Sequence, residues 1–208
     1  GSIPQLRMAI LLTDNAAEVL MHRAIESQFD SSRMYKNLLL NVLQYPQDPE
    51  KDEFVTEFQR HIVPDSRKKK IRKFFDEKVV FLSEDRVLLE PSLARVLSVV
   101  HRYRNEAYHQ DKLRKATIRP VALLSFEAVC DLLTRLDSKG CAYEGGVDYS
   151  WFESRYGLER FQDSGESDSQ RIAECLRQGI PLSLQELRED LFEHLQQRLE
   201  DLYSSLDF

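Results

Sequence analysis

Ser92-Leu93-Ala94-Arg95-Val96-Leu97-Ser98-Val99-Val100-His101-Arg102-Tyr103-Arg104-Asn105-Glu106-Ala107-Tyr108-His109-Gln110 is the stretch on which the fold turns. At roughly 100° per residue, Leu93, Val96, Leu97, Val100, Tyr103 and Ala107 fall on one arc. That period predicts a helix with one face against a core. Beside the apolar arc lies a second one holding His101, Arg104, Asn105, Tyr108 and His109. Polar and amphipathic groups therefore collect at the margin of the buried stripe. Pro91 sits ahead of them at a first helical turn, where its missing N–H is not needed.

The flanking sequence continues in helices. From Gln5 to about Phe29, Leu6, Ile10, Leu11, Val19, Leu20, Met21 and Ile25 recur near helical spacing. Asp30-Ser31-Ser32 reads as a stop followed by a cap, and a second helix is expected from Ser32 to Gln44. Tyr45-Pro46-Gln47-Asp48-Pro49 is a loop, because proline removes a helical hydrogen bond. A third helix spans about Lys51 to Val63, and Asp65-Ser66 caps a basic segment, Arg67 to Lys73. Val79 to Leu89 admits a hairpin or an irregular link, and the irregular link is preferred. A further strong helix runs from about Ile118 to Leu136. The fold class is all-α: an up-and-down helical bundle over residues 3–137. Residues 138–208 form a C-terminal extension, a loop rich in Gly, Ser, acids and aromatics followed by two helices. The first is Arg171 to Gln178, and the second carries a stripe of Leu184, Leu187, Leu191, Leu195, Leu199, Leu202 and Leu206.

Composition limits the function. The 208 residues are 42% apolar and 31% charged, which suits a globular protein with a core. Seven Gly and seven Pro argue against an all-β fold with many tight turns. A net charge of -6 makes the whole molecule no attractor of nucleic acid, so any such contact requires a local basic patch. Cys130, Cys141 and Cys175 show no CxxC spacing and read as reduced thiols in a cytoplasmic protein. No apolar run approaches the roughly 20 residues that span a bilayer, and no signal peptide is visible. Gly1-Ser2 reads as a cloning remnant.

Arginine, carboxamide and histidine at the polar end of an apolar helix can bind, orient and protonate a phosphate. Cleaving RNA without a metal requires a base for the 2′-hydroxyl proton, an acid for the leaving oxygen and a cation for the charged transition state. Imidazole suits either proton role, and a fork-shaped guanidinium suits the charge. The motif supplies one histidine per chain, so a homodimer that pairs two copies of the helix supplies both.

Several residues carry two readings each. His101 is a second catalytic or phosphate-binding group, or a satisfied surface histidine. Asp14 and Glu18 lie four apart on one helix face. They orient a histidine or bind a base, or they form a hydrogen-bonded pair or a solvated face. Arg67, Lys68, Lys69 and Lys70 hold an RNA backbone by releasing counterions, or are a solvated face. Tyr149, Trp151, Phe152 and Tyr156 stack on bases or pack the C-terminal segment. The leucine stripe is core or a dimer seam. His22 and His61 have no metal-ligand spacing, so neither a metal site nor a cofactor is expected.

Arg104-Asn105-x-x-x-His109 late in a helix resembles the signature of the HEPN superfamily, the higher eukaryote and prokaryote nucleotide-binding domain. The resemblance covers about residues 4 to 137. Leu11-Leu12-Thr13-Asp14-Asn15-Ala16-Ala17-Glu18-Val19-Leu20 is also similar to first helices of that group. Many members are metal-independent ribonucleases: toxins of toxin–antitoxin pairs, anti-phage effectors and CRISPR-associated RNases. The resemblance implies a HEPN-like bundle and an endoribonuclease cutting single-stranded RNA in a cleft between two protomers. It implies Arg104, Asn105 and His109 as catalytic residues; beside them on the same helix, His101 and Tyr108 are candidate RNA contacts, Tyr108 by packing a base or shaping the cleft. An antitoxin or sensor protein is the implied restraint. The competing reading is a non-catalytic helical module that binds a nucleotide or a protein.

Overall fold

One helix of 41 residues, α1 (Ile3–Leu43), organises the chain. The computed structural model describes residues 2–44, 51–109, 117–136, 150, 154, 168–180 and eight positions between 189 and 204. The remaining helices are α2 (Lys51–His61), α3 (Asp65–Lys73), α4 (Phe75–Val80), α5 (Pro91–His109), α6 (Ile118–Arg135) and α7 (Asp168–Gly179). No described residue lies in a strand, so the protein is all-α, as the helical periodicity implies.

The break expected at Asp30-Ser31-Ser32 does not occur; α1 runs through it. Each polar group finds a partner that leaves the helix intact. Ser31 Oγ donates back to the Ser27 carbonyl, and Asp30 pairs with Arg33 one turn on. Ser32 is buried and its Oγ accepts the Val63 backbone N–H at 2.8 Å. A serine read as a cap is thus a cross-link to the segment after α2. At the other end Ser2, set aside as a remnant, donates its N–H to Gln5 Oε1 at 2.8 Å.

Residues 79–89 are also more helical than an irregular link. α4 continues into a single π-helical turn, Phe81–Asp85, because Phe81 and Leu82 both point into the core. The Arg86 N–H donates to the Phe81 carbonyl and the Leu88 N–H to the Leu82 carbonyl. The chain then reverses at Val87, whose φ of 53° is left-handed. Leu89 re-enters the core at 2% exposure, and Pro91 opens α5 at the expected place.

α1 packs on α2, α4, α5 and α6. Its inward face buries Ala17, Met21, Ala24, Ile25 and Phe29 against Val79, Phe81, Leu82, Leu93, Leu97 and Leu132. A second apolar cluster joins Ile10 to Val100, Tyr103, Ala107, Ile118, Val121 and Ala122. Fully burying each such large side chain contributes about 1.5–3 kcal/mol. The second cluster fixes the C-terminal half of α5 against the start of α1, and it is this contact that places the candidate site. α7 docks on α6: Ala173 is fully buried, and Arg177 binds Glu127 at 2.7 Å and Asp131 at 2.6 Å. The described positions between 189 and 204 are helical. Residues 140–167, apart from Ser150 and Ser154, lie outside the described residues, and so do Tyr149, Trp151, Phe152, Tyr156 and Cys141.

Candidate functional site

Asp14 is the centre of the site. It sits on α1 seven residues after Arg7 and four before Glu18, and its side chain is 3% exposed. A buried carboxylate requires charged or hydrogen-bonding partners. Asp14 takes them from α5. His101 Nδ1 lies 3.0 Å from Oδ1 and 3.1 Å from Oδ2. Arg104 Nε stands 3.6 Å from Oδ2. That is an ion-pair distance and too long for a hydrogen bond, and Arg104 Nε is a buried N–H without a hydrogen-bond partner. The attraction to Asp14 is therefore one of charge. A shift of well under 1 Å would turn it into a hydrogen bond.

The guanidinium is held from a second side. Arg104 Nη1 donates to Asn105 Oδ1 at 2.8 Å, and its Cζ lies 5.9 Å from the Tyr108 ring centroid. Tyr108 is anchored by Arg7, whose carbonyl accepts the phenol at 2.7 Å and whose guanidinium lies 5.2 Å over the same ring. Arg7 Nη2 also donates to the Ala107 carbonyl at 2.9 Å, near the end of α5. His101 is stacked on Phe75 of α4, with ring centroids 3.8 Å apart and planes within 2°. Its side chain is 20% exposed and that of Arg104 is 23% exposed.

The fold thus assembles Asp14, His101, Arg104, Asn105 and Tyr108. His109 is the last residue of α5; its side chain lies outside the described residues. Glu18 does not join the cluster. It pairs with Lys78 Nζ of α4 at 2.5 Å, which satisfies a lysine only 4% exposed. The basic run is largely engaged within the chain. Arg67 binds Asp85, and Lys70 binds Glu77. Lys68 lies over the Phe29 ring. Arg72 makes two hydrogen bonds to Glu26, and this contact holds the Glu26 carboxyl below its ordinary pKa. Lys69 is exposed. Of this run only Lys69 presents a side chain to solvent with no described partner.

Two contributors escape a reading of the sequence, Arg7 and Phe75. Arg7 lies on the same α1 face as Asp14, two turns earlier, and that shared register was the one available signal. Phe75 has none, because its ring meets His101 only through tertiary packing.

Chemically the cluster offers one anion buried between an imidazole and a guanidinium, with an amide and a phenol at its edge. A guanidinium so fixed is an electrostatic anchor for an oxyanion. An imidazole whose one nitrogen is bound has its other nitrogen available for proton transfer. No helix among the described residues is long and apolar enough to cross a membrane. No family model, curated protein or solved structure matches the chain.

Proposed function

We propose that this protein is a metal-independent RNA endonuclease of HEPN type, a toxin or anti-phage defence effector that cuts single-stranded RNA by 2′-hydroxyl attack. One observation carries the reading: the Arg104 guanidinium is anchored by Asp14 on one side and Asn105 on the other, five residues before the end of α5. A cation fixed in advance loses no freedom when phosphate arrives, so it stabilises the transition state more than a mobile one does. In this reading Arg104 binds a non-bridging phosphate oxygen. Asn105 orients the guanidinium, His109 protonates the leaving oxygen, and Tyr108 shapes the cleft. Two protomers bring two copies of α5 together, and an antitoxin or sensor protein holds the assembly in check.

The second reading, a non-catalytic module that binds a nucleotide or a protein, is favoured by one fact. Arg104 already faces Asp14 with Nε and donates Nη1 to Asn105, and three quarters of its side chain is covered. One assay separates the two. Labelled single-stranded RNA is incubated with the protein in EDTA, and products are examined for a 2′,3′-cyclic phosphate terminus. Cleavage that is lost in folded Arg104→Ala and His109→Ala supports the nuclease. Retention of full activity in either variant defeats it, and binding without products establishes the module.

A further inference from the structure

We infer that His101, oriented by Asp14, is the base that removes the 2′-hydroxyl proton. The inference rests on the nuclease reading above and extends it to a residue outside the Arg104–His109 motif.

The argument begins with the carboxylate. Asp14 is buried, and in its charged form it only accepts hydrogen bonds. Nδ1 of His101 lies within 3.1 Å of both its oxygens, so Nδ1 carries the hydrogen. In the neutral ring the lone pair is then on Nε2. Among the described residues nothing hydrogen-bonds Nε2. Phe75, parallel to the imidazole at 3.8 Å, packs against one face of the ring and favours this orientation. Tautomer and orientation are both set before substrate arrives, as in any base held by a carboxylate.

The same carboxylate also draws in Arg104, one turn along α5. Base and phosphate-binding cation are therefore both drawn to one buried anion. The reaction needs base and cation close together, since the attacked phosphorus and the 2′-oxygen are neighbours in the same nucleotide. The step balances. The 2′-hydroxyl gives its proton to Nε2 of His101 as the 2′-oxygen bonds to phosphorus. The bond from phosphorus to the 5′-oxygen breaks, and that oxygen takes a proton from His109. The products are a 2′,3′-cyclic phosphate and a 5′-hydroxyl, and solvent then resets both histidines. Asp14 touches no reacting atom and is a positioning residue.

Two measurements on the full chain decide the matter. Long-range 1H–15N NMR of the wild type above the imidazole titration is expected to find Nδ1 protonated and Nε2 bare in His101; a protonated Nε2 overturns the assignment. In the RNA assay with EDTA, His101→Ala is expected to lower kcat about 10²–10⁴-fold, with KM for RNA unchanged. Added imidazole is expected to restore part of the rate, a response that a structural histidine does not give. Should His101→Ala fail to fold, His101→Asn replaces it, because its amide nitrogen stands near the place of Nδ1 and can donate to Asp14. Wild-type cleavage with an undiminished variant, or a loss that imidazole does not rescue, overturns the role of His101 and leaves the nuclease reading standing. An inactive wild type overturns the nuclease reading itself.

Discussion

The Asp14 carboxylate on α1 lies 3.6 Å from Arg104 Nε on α5, and it is 3% exposed where the guanidinium is 23% exposed. The pair closes the crossing of the two helices. Its value to stability is asymmetric: a buried pair adds little over apolar packing, but removing one partner strands the other.

Asp14→Ala therefore removes the only described carboxylate facing both His101 and Arg104. The loss expected in urea unfolding is about 3 kcal/mol. Burial of the pair is refuted if the change is below about 1 kcal/mol, the range of exposed ion pairs.

Val87 tests the reversal before α5. A β-branched residue at φ 53° is disfavoured by about 1–2 kcal/mol, whereas glycine accepts that geometry without strain. The side chain is 80% exposed and contributes little packing. Val87→Gly is expected to raise Tm, with a net gain of about 0.5–1 kcal/mol after the entropy of glycine is subtracted. A lower Tm would show that the turn tolerates the branched side chain.

Cys130 is fully buried on α6, and burial pushes its thiol up to about 11. The thiolate is the reactive form, and at pH 8 it is about a thousandth of the population. Iodoacetamide at pH 8 is expected to modify Cys175, which is partly exposed, well before Cys130. Because the folded value is raised, the contribution to stability is complete below the ordinary thiol value of 9.0 and is lost as pH climbs toward about 11. Peptide mapping by mass spectrometry checks the order of labelling; first labelling of Cys130 would contradict its burial.

Arg177 holds α7 to α6 through Glu127 and Asp131. Arg177→Ala leaves two neighbouring carboxylates without their cation. Hydrogen exchange is expected to accelerate across residues 168–179 while α1 and α5 keep wild-type protection. Unchanged exchange in α7 would assign its docking to Ala173 and its apolar neighbours alone.

Much of the architecture is legible in the sequence. The apolar period of residues 93–107 and the proline at 91 located α5 within a residue or two. Two errors share a cause. Asp30-Ser31-Ser32 resembles a helix stop because those side chains compete for backbone groups. Here Ser32 bonds instead to Val63, 31 residues away, and the helix continues. At residues 81–85 the buried pair Phe81 and Leu82 holds a helical turn that local preference does not announce. The candidate site divides in the same manner. Arg104 and Asn105 were visible as neighbours on one helix, whereas Asp14 and Glu18 looked equivalent four residues apart.

By itself, then, the order of residues determined the class of fold, the helix that carries the motif, and the groups capable of chemistry, since all of these follow from contacts three or four positions apart. Only the tertiary structure decided that Asp14 joins His101 across 87 residues, while Glu18 goes to Lys78 and most of the basic run is taken up by nearby carboxylates. The physical reason is that helix period is a local property of the backbone. Which side chains meet across a helix crossing is set by how whole apolar faces pack, and that packing is the solution for the entire chain at once.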